Sequence, residues 1–275
     1  MPAWPLSLMT SIWEQFSAVL PPRPPETHPL GCHRPRIADR LVFEKLLQVL
    51  VLGCAYERIA DHRCSATTLR TRRNEWIAAG LFATLETLAL AAYDRTIGLD
   101  LCDVAVDGCI VKAPCGGEAA GRSPVDRGKQ GTKRSLLVDG NGIPLGVVVS
   151  SANRHDSPLL RPTLEHLQRF ALLPATLTVH LDAGYDSAVR CETLAERGYQ
   201  GEITPKGTRV ALQQTRRWVI ERTNAWHYRG FGKLAVCTER RISVIEALIA
   251  FANTIIILRR LAAKPPPIAQ AMGCH

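Results

Sequence analysis

The sequence predicts an α/β fold, with a mixed five-stranded sheet flanked by helices and preceded by an all-α region. Residues 1–98 space their apolar side chains as helices do. From residue 99 the pattern changes to three strands, helix, strand, helix, strand and helix. The 275 residues are 46% hydrophobic, which is enough for a sizeable core. We therefore expect a helical N-terminal domain at 1–98, a sheet-containing domain at 99–262 and a flexible tail at 263–275.

The N-terminal region is predicted to hold five helices separated by one linker. Apolar residues at helical spacing and glycines at helix ends place the helices at residues 6–20, 37–53, 56–63, 66–79 and 81–98. Residues 21–29 are proline-rich and cannot be helical, so they form a linker or arm. The basic residues 33–36 that follow suit either an arm along DNA or a solvated linker.

The helix at 66–79 is the candidate DNA-reading element. Ser65 is placed to cap it, and Leu69 and Trp76 face inward. Short helices around a tight turn, with a basic outer face, suit a helix-turn-helix, although an ordinary three-helix bundle fits equally well. The wheel puts Arg72 and Arg73 at the edge of the outer face. The residues expected to face DNA are Thr67, Arg70, Thr71 and Asn74.

The second half is predicted to be built around strands with polar loops between them. The Asp-Gly and Asn-Gly pairs at 139–142 are strong hairpin signals. Residues 113–133 are rich in Gly, Ser, Pro and charge, so we expect a loop there. The strands are predicted at 103–112, 134–138, 143–150, 177–182 and 201–204, and the helices at 159–170, 187–197, 216–229 and 242–261.

The charge of the chain favours a phosphate-rich partner. Its formal net charge is +9 and its pI is about 9.3. Arginine forks match phosphate oxygens, although a generically basic protein has the same composition. The nine cysteines contain no C-x-x-C pair, so we expect free thiols rather than a zinc module. We find no signal-peptide pattern, and the apolar runs at 46–52 and 247–258 are short, so we expect a soluble cytoplasmic protein without a membrane partner.

Three carboxylates are placed so that the predicted elements could bring them together. Asp107 lies in the first strand, Asp182 ends the fourth, and Glu221 lies on the helix after the fifth. Three neighbouring carboxylates repel one another unless a cation lies between them, and Mg²⁺ prefers oxygen ligands. The helix at 216–229 alone favours a plainer interpretation, in which Glu221 forms a surface ion pair with Arg217 or Arg222.

The motifs around these carboxylates resemble a known family. VDG at Asp107, LDAGYDS at Asp182 and RRWVIERTNAW around Glu221 are similar to the DDE transposases of bacterial insertion sequences, in particular the IS5 group of the IS4-like superfamily. The likeness extends to residues 11–22 and 142–157 and so covers nearly the whole chain. The chain departs from the family signature at Gln214 and Tyr228.

The resemblance implies an RNase H-like fold and an enzyme that cuts and rejoins DNA. It implies that Asp107, Asp182 and Glu221 are the catalytic metal ligands for two Mg²⁺ ions, with Mn²⁺ as a substitute. The implied partner is double-stranded DNA, at the terminal inverted repeats of the element and at the target, bound by a homodimer in the nucleoid.

A basic rim is expected to hold the DNA phosphates. Lys129, Lys133 and Arg134 are assigned to it from the end of the loop and the start of the next strand, although a solvated loop is the plainer alternative. Arg217, Arg222 and Arg229 are assigned to it from the helix that carries Glu221. Two rival functions remain at this point. One is a repressor that binds DNA without cutting it, and the other is an RNase H-like nuclease that does not join strands.

Overall fold

The computed structural model describes residues 6–22, 36–203 and 215–263. The elements within this part of the chain, in order, are α1 Leu6–Ala18, α2 Asp39–Leu52, α3 Tyr56–Ile59, α4 Ala66–Ala78, α5 Leu81–Thr96, β1 Asp103–Lys112, β2 Gly121–Arg122, β3 Gln130–Asp139, β4 Pro144–Ser151, α6 Ser157–Glu165, β5 Thr178–Leu181, α7 Ala188–Ala195, β6 Gln200–Ile203, α8 Trp218–Gly230, α9 Gly232–Ala235 and α10 Ile242–Ala263. The proposed linker and basic arm, apart from residues 21, 22 and 36, and the proposed tail from residue 264, lie outside the described residues.

The strands form one mixed sheet. Its order is β2-β3-β1-β5-β6, with β4 also paired to β3. β1, β3 and β4 are antiparallel neighbours, whereas β5 and β6 run parallel to β1. The mixed RNase H-like sheet flanked by helices is thus confirmed, with one correction: the two-residue strand β2 is a sixth strand, inside the segment predicted as loop.

The two faces of the sheet pack against different helices. Ala105, Leu136 and Val138 share one face and pack beneath Val219 and Ile220 of α8. Because side chains alternate along a strand, Asp107 projects from that same face, two residues after Ala105. On the opposite face, apolar residues of β1 and β3 pack against α5, α6 and the end of α10. The sequence thus places a carboxylate directly under α8.

The strand β3 begins earlier than predicted. It starts at Gln130 rather than at residue 134, so Lys133 lies in a strand and not in a loop. The predicted boundary followed polar composition, but the backbone of residues 132 and 133 pairs with both β1 and β4. The turn at 139–142 is confirmed: Asp139 Oδ1 accepts the N–H groups of Asn141 at 2.9 Å and Ile143 at 2.7 Å. Burial raises the pKa of Asp139 to about 6.

The N-terminal helices are confirmed with one correction of length and one of burial. Ser65 caps α4 by accepting the Thr68 N–H at 3.1 Å. The helix α3 has four residues rather than eight, because Asp61 turns the chain by accepting the backbone N–H groups of Arg63 and Cys64. Arg72 and Arg73 are buried, not at an outer edge. Arg72 is paired with Asp39, and Arg73 lies 3.3 Å from Glu239, so the cost of burying each charge is offset by an ion pair.

One hydrophobic core joins the helical region to the end of the chain. Phe251 of α10 packs against Phe43 of α2 at 5.4 Å and Phe82 of α5 at 5.6 Å between ring centroids. The backbone at Gly53, a left-handed helix end with φ of 69°, lies against Gly232, and a Cβ there would come within 2.6 Å of the Gly232 carbonyl carbon. The proposed division at residue 98 is therefore crossed by a continuous core.

The helix α10 is the most apolar element of the described chain. A stretch of 18 residues within this 22-residue helix has a mean hydropathy of 1.9, which would suffice for a membrane span, so the expectation that the apolar run at 247–258 is too short does not hold for the helix that contains it. In this window 67% of the residues are buried inside the protein, which gives the hydropathy a structural cause. The seven cysteines in the described residues are free thiols, as expected.

A buried chain of polar groups links α5, α10 and α8. The side chain of Asn253 receives a 2.7 Å hydrogen bond at Oδ1 from His227 and donates one of 2.7 Å to Glu86. Burial, together with the nearby Arg134 guanidinium, lowers the pKa of His227 to about 3. Burial raises the pKa of Glu86. These groups fix how α10 is seated between its neighbours, since each would be costly to bury without its partner.

Acid should therefore destabilise the protein through His227. The unfolded histidine titrates near 6.5 and the folded one near 3, so its contribution to stability is complete above pH 6.5 and is lost as the pH falls toward 3. We expect the wild-type free energy of unfolding to fall between pH 6.5 and 4 by about 1.4 kcal/mol per pH unit more than that of His227→Gln. Urea titrations at each pH measure this. The exposed His62→Gln is the control, and equal pH slopes for wild type and His227→Gln would contradict the assignment.

Candidate active site

Asp107 is half-buried in the middle of β1, under α8. Its Oδ1 accepts the Gly108 N–H at 2.8 Å. Burial, and then the charge of Glu221, raise the pKa of Asp107 to about 7, with a smaller contribution from Asp182. The Gly108 hydrogen bond and the Arg217 guanidinium act in the opposite direction. Asp107 is therefore close enough to both other carboxylates to feel their charge.

Asp182 stands beside Asp107 at the end of the neighbouring parallel strand. β1 and β5 pair Ala105 with His180, and two residues further on lie Asp107, within β1, and Asp182, directly after the end of β5. Asp182 Oδ1 accepts the Ala183 N–H at 2.6 Å and so caps the 3₁₀ turn at Ala183–Tyr185. The same oxygen lies 3.2 Å from Nη1 of Arg217. The order of the strands thus brings the first two predicted ligands together.

Glu221 is exposed on the first turn of α8, which Val219 and Ile220 anchor to the sheet. In the described residues it forms no ion pair with Arg217 or Arg222: Arg217 contacts Asp182, and Arg222 donates to the Asn141 carbonyl oxygen. The alternative in which Glu221 is part of a simple surface ion pair is therefore not what the structure contains. Its charge acts instead on Asp107.

The donor set suits a divalent cation, but the three carboxylates do not yet surround one point. Within the described part of the chain, no three His, Cys, Asp or Glu side chains are close enough together to share a metal ion. The Arg217 guanidinium holds Asp182 in an ion pair. Burial and then the charge of Glu221 raise the pKa of Asp107, so its carboxyl group lies in a dehydrated and acidic environment.

An ion pair between Lys133 and Asp156 lies on the face of β1 opposite to Asp107. Lys133 Nζ is 3.0 Å from each carboxylate oxygen of Asp156, and the lysine is buried. Lys133 therefore does not lie on an exposed rim, because a buried ammonium needs its carboxylate. Arg134 is also buried, and its Nε and Nη1 have no hydrogen-bond partner among the described residues. The loop boundary misled the prediction for Lys133 alone, because Arg134 was already placed in a strand.

The VDG motif needs a glycine at position 108 for a steric reason. A Cβ on Gly108 would lie 2.1 Å from Oδ1 of Asp156, so no larger residue fits there without moving that carboxylate. The spacing of apolar residues gives no sign of the contact between Gly108 and Asp156, although Asp156 lies in the stretch 142–157 that resembles the family. The Asp156–Lys133 pair thus supports the strand from behind, at the residue next to Asp107.

We expect Gly108→Ala to lower the free energy of unfolding by about 1 to 3 kcal/mol, because it displaces Asp156 from buried Lys133. Gly184→Ala in the LDAGYDS motif is the matched control. A Cβ at Gly184 meets nothing within 4 Å, so it should change stability by less than about 0.5 kcal/mol. Urea unfolding of both variants tests this, and a Gly108→Ala protein as stable as the control would refute the steric explanation.

The predicted DNA-contacting residues fall into two groups. Thr67, Thr71, Lys129 and Arg229 are exposed. The others have contacts within the chain: Arg70 is paired with Glu57 and stacked on Tyr56, and Asn74 Oδ1 accepts a 2.6 Å hydrogen bond from Arg241. DNA could bind the side chains of Arg70 and Asn74 only by replacing these contacts.

Two polar residues near the candidate ligands have structural roles. His180, buried in β5, lies 2.7 Å from Asp103 of β1 and 3.2 Å from Glu202 of β6, so it links three strands as a core histidine. Ser187, which ends the LDAGYDS motif, is the N-cap of α7.

The chain matches two models of known families. Residues 98–257 match the model described as "Transposase DDE domain", and residues 8–85 match that described as "Putative transposase of IS4/5 family". The chain is 32% identical over 135 residues to the "Putative transposase for insertion sequence element IS402" of Burkholderia cepacia. This alignment covers 47% of the chain and 64% of that protein, so the chain spans less than two thirds of its relative.

Among solved structures, the chain is similar to two complexes of the Mos1 transposase. The paired-end complex with the left transposon end aligns at a TM-score of 0.28 and 12% identity, covering 92% of this chain and 89% of that one. The mariner paired-end complex with Mn aligns at 0.29 and 11%, covering 92% and 88%. At these TM-scores the likeness carries no conclusion about the site.

Proposed function

The chain belongs to the family of transposase DDE domains, and we propose that it is the DNA transposase of a bacterial insertion sequence. It would bind the terminal inverted repeats of its element and catalyse Mg²⁺-dependent cleavage and strand transfer. The observation that carries this proposal is that Asp107 and Asp182 lie side by side on neighbouring chain segments under α8, where the charge of Glu221 adds to burial in raising the pKa of Asp107 to about 7. The three carboxylates come from three separate parts of the chain, and a bound cation would reduce the repulsion between their negative charges.

In this proposal Asp107, Asp182 and Glu221 are the catalytic residues and metal ligands. The family uses a divalent metal, and we propose two Mg²⁺ ions, with Mn²⁺ able to replace them. Bound there, such ions activate a water or a 3′-hydroxyl and stabilise the leaving oxygen of a phosphodiester. The chain itself holds the two aspartates on neighbouring rigid strands, while α8 brings Glu221 across them.

Arg217 would change partners when substrate binds. In the described structure its guanidinium neutralises Asp182. A guanidinium freed from that carboxylate can donate to the phosphate oxygens beside the bond to be cut. Its position at the start of α8, one turn before Glu221, allows both roles.

The DNA contacts are proposed to come from both halves of the chain. The helical domain, residues 1–98, would read the inverted repeats, and residues 99–262 would form the catalytic domain. We propose that two copies act together on element and target DNA in the cytoplasm, associated with the nucleoid. The proposed contacts are Thr67, Arg70, Thr71, Asn74, Lys129, Arg217, Arg222 and Arg229.

Arg70→Ala and Asn74→Ala should each weaken binding to end DNA by about 1 to 3 kcal/mol, as for a good base contact. Because both residues already have partners in the chain, part of the binding energy would replace those contacts. Competition binding of end DNA against random DNA measures the effect, with Arg161→Ala on α6 as the control. Unchanged discrimination in both variants would refute base reading by α4.

A single assay separates the proposed function from its rivals. End-containing DNA is incubated with the full chain and Mg²⁺, and the products are resolved on a denaturing gel. A transposase yields strands cut at the element ends and joined to new DNA. Binding without cleavage would favour a repressor, and cleavage without joining would favour a nuclease; either result would overturn the proposal.

A further inference from the structure

A basic groove lies between the second half of α8 and the end of α10. It encloses about 580 Å³, and it is lined by four arginines but by no aspartate or glutamate. We call this the α8–α10 groove. Its arginines are Arg222, Arg229, Arg259 and Arg260, and Trp226 and Phe231 form part of its wall.

The guanidinium groups of the groove are held in place by indole rings. Arg222 lies between Trp218 and Trp226, with its guanidinium carbon 4.5 Å and 4.8 Å from the two ring centroids. Arg260 lies 5.5 Å from the centroid of Trp226 on the same helix pair. Stacked arginines have lost part of their rotational freedom already, so they lose less when they bind a planar or tetrahedral anion.

Three of the four arginines in the groove form no ion pair with a carboxylate of the described residues. Within the described residues, neither Arg222, Arg229 nor Arg260 has a carboxylate within 4.0 Å. Nε of Arg222 and Nε of Arg260 are buried without a hydrogen-bond partner there. Burial and the charge of Arg260 lower the pKa of Arg222. Like charges held together in this way need an anion to relieve their repulsion.

We propose that the α8–α10 groove binds the phosphate backbone of DNA. The inference rests on the proposed function and extends it to a surface outside the carboxylate site. Arg222 follows Glu221 directly, so it lies about 100° further around α8, and the groove flanks the carboxylates on that helix. Bound DNA can therefore pass from the metal ligands to the groove around a single helix. The stacked arginines Arg222 and Arg260, with Arg229 in the same groove, match a run of phosphates better than a single small anion.

The test removes charge from the α10 side of the groove. The variant combines Arg259→Gln and Arg260→Gln, and its charge-matched control combines Arg161→Gln and Arg197→Gln, whose arginines pair with Glu196 and Glu165. Binding of a fluorescent DNA duplex is measured by anisotropy from 50 to 300 mM KCl. We expect affinity to fall about tenfold per lost phosphate contact near 0.1 M salt. The slope of log K against log salt should fall by about 0.9 for each contact. The control should keep the wild-type slope.

Exposed Arg229→Gln serves as a second variant in case the double substitution does not fold, and thermal melts check the fold of each protein. Inorganic phosphate is added in a parallel titration at constant ionic strength. Tight binding of phosphate by wild type that fully displaces DNA would overturn the proposal in favour of a small-anion site. A groove variant with the wild-type slope and affinity would overturn it also, while leaving the transposase proposal intact. A wild type that shows no salt-dependent DNA binding would overturn both.

Discussion

Asp107→Asn is expected to abolish Mg²⁺-dependent cleavage of end-containing DNA while leaving DNA binding largely unchanged. Asparagine fits the same place in β1, but it lacks the charge that a divalent cation needs from its ligand. We expect a loss of at least about a thousandfold in rate, which corresponds to about 4 kcal/mol of lost transition-state stabilisation. Single-turnover cleavage and anisotropy on the same DNA give the two quantities.

The matched control is Asp103→Asn, four residues earlier on the same face of β1. Asp103 contacts His180 rather than the other candidate ligands, so its loss should leave cleavage within a few-fold of wild type. Full activity of Asp107→Asn would show that this carboxylate is not a metal ligand.

Asp107→Asn should also change how the free energy of unfolding depends on pH. An unfolded aspartate titrates near 3.8, and folded Asp107 near 7, so the native state holds its proton over that range. Metal-free wild type should therefore lose stability as the pH rises from 4 to 7, by up to about 4 kcal/mol, and Asp107→Asn should lose less. Above pH 7 the variant should be the more stable protein. Urea unfolding in EDTA at pH 5 and pH 8 compares them.

Glu221→Gln is expected to remove cleavage activity without lowering the melting temperature of the metal-free protein. Glutamine on the exposed first turn of α8 loses no packing, and it relieves the repulsion with Asp107. Mg²⁺ should raise the melting temperature of wild type more than that of the variant, because a ligand stabilises only through its affinity for the native state. Melts with and without Mg²⁺, together with a cleavage gel, measure all three effects.

Glu192→Gln, an exposed glutamate of α7, is the control and should respond to Mg²⁺ as wild type does. An active Glu221→Gln protein with a normal Mg²⁺ response would leave only two of the three carboxylates in the metal site.

The sequence predicted those features that depend on local pattern. The alternation in 103–112 located β1, the Asp-Gly and Asn-Gly pairs located the hairpin, and the end of the fourth strand placed Asp182 beside Asp107. Buried charges were not predictable in this way. A helical wheel or a polar segment assigns Arg72 and Lys133 to the surface, and only their distant partners, Asp39 and Asp156, make burial possible. The pairing of Arg217 with Asp182 likewise depends on how α8 crosses the sheet.

Because α10 completes the core that the helices of residues 1–98 share, it also affects when the protein can fold during synthesis. The helices α1, α2, α4 and α5 leave the ribosome about 150 residues before Val244–Ile256, which complete their core, a delay of roughly 10 to 30 s at bacterial and slower rates of synthesis. Throughout that interval Phe43 and Phe82 have no Phe251 to pack against. A nascent or prematurely ended chain therefore exposes an apolar surface that chaperones and proteases recognise. The helices of residues 1–98 therefore complete their core only after α10 has been synthesised.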